Sequence, residues 1–299
     1  MLQVLLFGVF QARDAAGRPL ALESQRAREL LSFLLLRPYQ PHSREVLATI
    51  LWGGEVGMLS TSQSLKGLRQ ALWHLHSALP PGLHAGLLHL TGDQVELRAH
   101  PDLSCDALTF EGTVGALRGR AGPDLSPAEA WALRAAVALY RGELLEGWMA
   151  DWCLAERERL QNMHLAALEK LTDHCEACGD WEGGLHYAGR LLAFDRASED
   201  THRRVMRLHF RSGDRTAALR QFALCELALR EELNVRPSHA TLALYESIRD
   251  DQPLDTAPGA PTVGQARPDP VLELLHELRD AVRELRSLLA EGGRLREEP

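Results

Sequence analysis

The stretch Ser60–Leu79, STSQSLKGLRQALWHLHSAL, decides how the rest of the chain is read. Leu65, Leu68, Leu72, Leu75 and Leu79 recur at alternating spacings of three and four residues, which aligns them on one stripe of an α-helix. The opposite face carries Gln63, Lys66, Gln70, Trp73, His74 and Ser77, with Arg69 and His76 on its flanks. No Asp or Glu occurs in the stretch. A helix face of amides, imidazoles and cations without a carboxylate suits the floor of a DNA groove. The same pattern also fits an ordinary amphipathic surface helix, so the flanking sequence has to decide.

Residues 2–10, LQVLLFGVF, are a short apolar run, followed by the polar turn RDAAGRP and the brief run Leu20–Leu22. Together they predict a small antiparallel sheet. SQRARELLSFLLLRP predicts a helix with Ser24 as N-cap and Pro38 beyond its end. Ser43 opens a second helix, SREVLATILW, stopped by Gly53–Gly54. A loop rich in Gly, Ser and Thr (residues 53–62) leads into the leucine-striped helix, and GLLHL and QVELR follow, joined by Thr91-Gly92-Asp93. That last pattern is a hairpin signal. Sheet, three helices and hairpin within residues 1–100 is the order of an OmpR-type winged helix-turn-helix. In that arrangement the third helix enters the major groove and the hairpin wing lies on the backbone.

Residues 101–251 are nearly all helical in pattern. Gly179-Asp180 recurs as Gly213-Asp214, and Leu185 as Leu219, both 34 residues later. That period is the mark of tetratricopeptide-type helix pairs, which stack into a superhelix. About two such repeats are evident. Residues 252–270 contain five prolines and no apolar period, and read as a linker. Beyond it, Val271, Leu275, Leu278, Val282, Leu285 and Leu289 mark a short coiled-coil seam in an amphipathic helix over residues 271–291. Leu274 and Leu288 widen that stripe, so it serves either self-association, which the spacing favours, or docking on the protein's own body. The expected fold is therefore mainly α: a winged helix with its sheets, an all-α repeat domain and a C-terminal helix.

The net charge of −8 is unevenly spread. Residues 1–100 hold 9 Lys and Arg against 7 Asp and Glu, residues 101–251 hold 18 against 25, and residues 252–299 hold 6 against 9. Only the first segment is a candidate for meeting a polyanion. No apolar run approaches the ~20 residues of a membrane span, and no cationic region precedes the first apolar run, so a cytoplasmic location is expected. The odd count of five cysteines fits a reducing compartment. Cys175 and Cys178, next to His174, form a lone C-x-x-C without a second pair for zinc, and read as the last turns of a helix closed by Gly179. No metal or other cofactor is expected. With no Gly-rich phosphate loop, H-E-x-x-H or G-x-S-x-G, an enzyme is not expected either.

With its elements in this order, the chain resembles the bacterial antibiotic-regulatory-protein (SARP) transcriptional activators, in which an OmpR-type winged helix precedes a bacterial transcriptional activation domain. The resemblance covers roughly residues 2–251. It is carried by ARELLSFLLLRP and SREVLATILW in the first domain, and by DALTFE, LAERERLQNMHLAALEKL and LREELNVRPSHATLALYESI in the second. It implies double-stranded promoter DNA and RNA polymerase as partners, the latter contacting the loop Gly53–Ser62. It also implies DNA contacts from Gln63, Lys66, Arg69, Gln70, Trp73, His74, Ser77 and the wing residue Arg98. Where such regulators typically carry Arg-Leu-Arg-Arg, this chain has His74-Leu75-His76-Ser77, and Trp73 stands where a small polar residue is usual. Each phosphate that is no longer neutralised flattens the salt dependence of DNA binding by about one unit of slope. The rival reading is an interaction scaffold whose winged helix no longer binds DNA tightly.

The seam Val271–Leu289 is expected to hold the chain as a dimer or higher oligomer, because an apolar stripe of that size is seldom left exposed. Deleting residues 253–299 should then lower the number of chains per particle, read from the mass by light scattering. An unchanged number would mean that the tail packs in cis or that residues 1–252 associate alone.

Overall fold

The computed structural model describes residues 1–52, 60–79, 83, 86–98 and 100–254. Most of the linker and the whole C-terminal helix expected from the sequence lie outside the described residues. Residues 1–254 make one compact unit.

Strand β1 (Leu2–Leu5) pairs antiparallel with β2 (Gln11–Arg13), placing Val4 opposite Ala12. The run Leu20–Leu22 adds no strand. Only an isolated bridge from Arg13 to Pro19 extends the pairing, with the Leu20 amide donating to the Ala12 carbonyl and the Asp14 amide to the Arg18 carbonyl. The third strand is instead a segment just past position 100, Leu103–Cys105, which runs parallel to β1 with Val4 opposite Cys105. It is β6 in chain order.

Helix α1 (Gln25–Leu35) starts at Ser24, whose side chain accepts from the Ala27 amide, and buries Leu30, Leu31, Leu34 and Leu35. A two-residue strand β3 (His42–Ser43) leads into α2 (Arg44–Trp52), and the Ser43 hydroxyl accepts from the Val46 amide at 3.2 Å. Helix α3 (Thr61–Ala78) follows. The hairpin β4 (Leu88–Thr91) and β5 (Gln94–Leu97) turns at Gly92, whose φ of 60° favours glycine, and β3 pairs onto β5. This is the winged helix-turn-helix order read from the sequence.

The remainder is helical: α4 (Asp106–Ala116), α5 (Pro127–Leu139), α6 (Asp151–Cys178), α7 (Trp181–Phe194), α8 (Glu199–Arg211), α9 (Arg215–Glu232) and α10 (His239–Arg249). The repeated Gly-Asp pair has a local cause. Gly179 and Gly213 take φ of 72° and 88° to end α6 and α8, where a Cβ would be strained. Asp180 and Asp214 then cap the next helices by accepting from the Gly183 and Ala217 amides, at 3.0 and 2.8 Å. Beyond α6 the apolar core breaks into small successive clusters, Ala188 with Val205 and Leu208, then Met206 with Ala218 and Ile248. Each helix pair packs mainly on its neighbour, as stacked repeats do.

The winged helix and the helical part share one core, which runs from Leu2, Leu30 and Leu75 to Phe110, Trp152 and Leu160. At its centre is Asp106. One carboxylate oxygen accepts from the Leu6 amide at 2.7 Å and from the Ala107 amide at 2.8 Å; the other accepts from the Phe7 amide and from Arg141, both at 3.2 Å. Burial pushes this carboxyl above the usual carboxylate range, while the amides and Arg141 act against it. Around it Phe7 meets Phe110 edge-on at 5.4 Å, and Tyr140 stacks on His164 at 4.1 Å. Arg157 holds the turn after α5 by donating to the carbonyls of Leu144, Leu145 and Trp148, each at 3.0 Å. That turn pairs back onto the chain just past β1, with the Leu145 amide donating to the Leu6 carbonyl.

Asp106→Ala strands the Leu6 and Phe7 amides in the core. It should lower unfolding free energy by about 2–4 kcal/mol in urea titration, where a loss under about 1 kcal/mol would contradict this role.

Candidate nucleic-acid interface

Helix α3 begins with a reciprocal capping box. The Ser60 side chain accepts from the Gln63 amide at 3.4 Å, and the Gln63 side-chain oxygen accepts from the Ser60 amide at 2.8 Å. Gln63 is therefore held by its own helix end, although it lies on the outer face. The S-x-x-Q spacing carries that role in the sequence. The inner face buries Leu68, Ala71, Leu72 and Leu75, with Leu79 buried just past the helix end and Leu65 half-buried.

Helix α3 approaches its neighbour closely at Gly67. A Cβ there would stand 2.8 Å from the Trp52 indole, so a larger residue would force that ring to shift. Trp52 is buried, and the Arg26 guanidinium lies 5.5 Å from its ring centre. In the sequence this glycine reads only as a weak helix former, and no local signal marks its role.

Outward, Lys66, Arg69, Gln70, Trp73 and Ser77 are exposed and His74 is half-buried. Lys66, Gln70, Trp73 and Ser77, spaced by four, three and four residues, make a single stripe along the helix. Trp73 is 64% exposed and meets His74 edge-on at 5.0 Å. The Arg69 Nε turns back to the Leu65 carbonyl at 3.4 Å. Arg98, just after β5, is paired with Glu96 at 2.9 Å, which holds Glu96 below the usual carboxylate range and offsets the wing's cationic charge. The helix thus assembles seven of the eight sequence-predicted site residues, and Arg98 stands apart on the wing. Residues 53–59 of the loop expected to meet RNA polymerase lie outside the described residues.

Residues 105–249 match the model of the family described as "bacterial transcriptional activator domain". The chain carries that domain. Its first strand-to-helix junction, Cys105–Asp106, is the one that pins the chain after β1, so the match begins where the winged helix is fastened on. With the winged-helix order in front of it, the match agrees with the resemblance of this chain to the SARP-type transcription regulators. The chain is similar to the "Regulatory protein AfsR" of Streptomyces coelicolor, 28% identical over 245 residues that cover 79% of this chain and 23% of that protein. It therefore spans about a quarter of that relative's length. In fold it is similar to Mycobacterium tuberculosis EmbR, solved in complex with a low-affinity phosphopeptide, with a TM-score of 0.66 and 20% identity over 85% of this chain and 66% of that one.

Within the activator domain, Cys175 is buried beside Arg134 and Asp180, and burial pushes its thiol up to about 11. Cys178 lies 3.7 Å from His174, and among the described residues no group of three metal-ligating side chains occurs. Also among the described residues, no helix is long and apolar enough to cross a membrane.

Gly67→Val drives two methyl groups into the Trp52 ring. A loss of about 1–3 kcal/mol is expected by chemical denaturation. An unchanged midpoint would show that Trp52 yields freely and that Gly67 does not set the packing.

Proposed function

We propose that this chain is a sequence-specific DNA-binding transcriptional activator that reads promoter DNA with α3 and steadies the complex with the β4–β5 wing. The observation that supports it best is the outer face of α3. It carries no carboxylate, its cations and amides are exposed, and its opposite side is anchored in the shared core. In a DNA major groove, Gln70 has the geometry for paired hydrogen bonds to an adenine edge, while Lys66, Arg69 and Arg98 meet phosphates or base acceptors. His74 and Ser77 extend the same face, and Gln63 contributes by fixing the N-terminus of the helix. RNA polymerase is the partner proposed for the 53–62 loop, and the C-terminal helix is proposed to make the chain a dimer or higher oligomer. The activator domain, joined to the winged helix through Asp106, would serve dimerisation or partner binding.

The test is duplex binding by the full chain. Replacing both Lys66 and Arg69 with alanine should weaken binding to every sequence and flatten the salt slope by about one unit for each phosphate no longer neutralised. Gln70→Ala should relax preference at one position, by about 1–3 kcal/mol, and leave the slope nearly unchanged. Failure to bind any duplex at low salt would sink this reading in favour of an interaction scaffold.

A further inference from the structure

Among the described residues of the winged helix, Trp73 is the largest exposed apolar side chain, and it stands in the middle of the polar stripe of α3. A tryptophan left 64% exposed contributes little to the core, and its ring is free to meet whatever α3 meets. Its surroundings point to the partner. Gln70 and Lys66 precede it on the stripe, Ser77 follows it, and His74 lies against its ring edge at 5.0 Å. No Asp or Glu occurs anywhere in α3, which disfavours a basic or mixed protein surface as occupant and favours a polyanion with an apolar feature in its groove. In duplex DNA the major groove offers one such feature, the C5 methyl group of thymine.

We propose that Trp73 is a specificity-determining residue that covers a thymine methyl in the base pair next to the one read by Gln70. This rests on the DNA-binding reading above. The spacing agrees with it: two helical residues three apart differ by about 4.5 Å along the axis, close to the ~3.4 Å step between base pairs. Gln70 at an adenine edge and Trp73 over a neighbouring thymine methyl together specify two consecutive A·T pairs. The indole N–H adds a donor for a base-edge acceptor beside the methyl. Packing against His74 restricts the ring, so it meets the groove with less side-chain ordering left to do.

A duplex selected by the full-length protein from a randomised library provides the probe. Each thymine of the selected sequence is then replaced in turn by deoxyuridine, which removes only the C5 methyl. Wild-type protein should lose about fourfold in affinity at one thymine, the size expected for one methyl group returned to water. That thymine should lie one base pair from the position where Gln70→Ala relaxes preference. Trp73→Ala should bind the thymine and deoxyuridine duplexes alike, and Trp73→Phe should keep part of the difference. The inference is overturned if a Lys66-dependent complex forms but no deoxyuridine position matters to wild type. It is equally overturned if Trp73→Ala keeps the full methyl preference, or if Trp73→Ala binds duplex as wild type does and loses a protein partner instead. If nothing is selected and no duplex binds at low salt, the DNA-binding reading itself fails and this inference falls with it. If Trp73→Ala misfolds, the same deoxyuridine series on Trp73→Phe carries the assignment.

Discussion

Asp106 is the constraint on which the arrangement of the molecule depends. A carboxylate can only accept hydrogen bonds, and this one is surrounded by donors: three backbone amides and Arg141. Two of those amides lie just past the end of β1, a hundred residues earlier in the chain. Any shift of the winged helix relative to α4 would leave either a buried charge or buried amides without partners, and both are costly. The two segments therefore behave as one body rather than as beads on a string. The aromatic packing of Phe7, Phe110, Tyr140 and His164 fills the space around that polar centre.

Helix α3 is fixed by different means. Its inner leucines tie it to the shared core, Gly67 lets α2 approach closely, and the Ser60–Gln63 box holds its first turn. A rigidly held helix loses little conformational freedom when its outer face meets a ligand, which matters most where few cations are available. That is the situation here. Two histidines and a serine stand where arginines are usual in the resembling regulators, and Arg98 on the wing is already shared with Glu96. On the DNA-binding proposal, a face poorer in cations relies more on base edges, for which Gln70 and Trp73 are the side chains best suited.

The activator domain is built differently again, from helix pairs whose small apolar clusters are linked by ion pairs. Arg204 bridges Asp173 on α6 and Asp200 on its own helix, at 2.8 and 3.0 Å, and Arg211 reaches Glu176 at 2.6 Å. These pairs bind α8 to α6 across the repeat. Several carboxylates of this segment thus answer its own arginines.

The elements and their order are legible in the residues alone. Leucine spacing places α3, serine caps place the starts of α1 and α2, the Thr91-Gly92-Asp93 turn places the wing, and the repeated Gly-Asp pair places the repeat boundaries. All of these are local signals, set by dihedral preferences and by hydrogen bonds within a few residues. Three further features come only from the folded chain. Strand β6 replaces the run Leu20–Leu22 as the third strand, with Asp106 next to it fastening the chain just past β1. Gly67 becomes the point of closest helix approach, since only the position of Trp52 gives that glycine a role. Gln63 turns back to its own helix cap and Arg98 toward Glu96, leaving Lys66, Gln70 and Trp73 exposed on the outer stripe. Each outcome depends on groups far apart in the chain or on competition between nearby partners, and neither residue spacing nor composition records which partner wins.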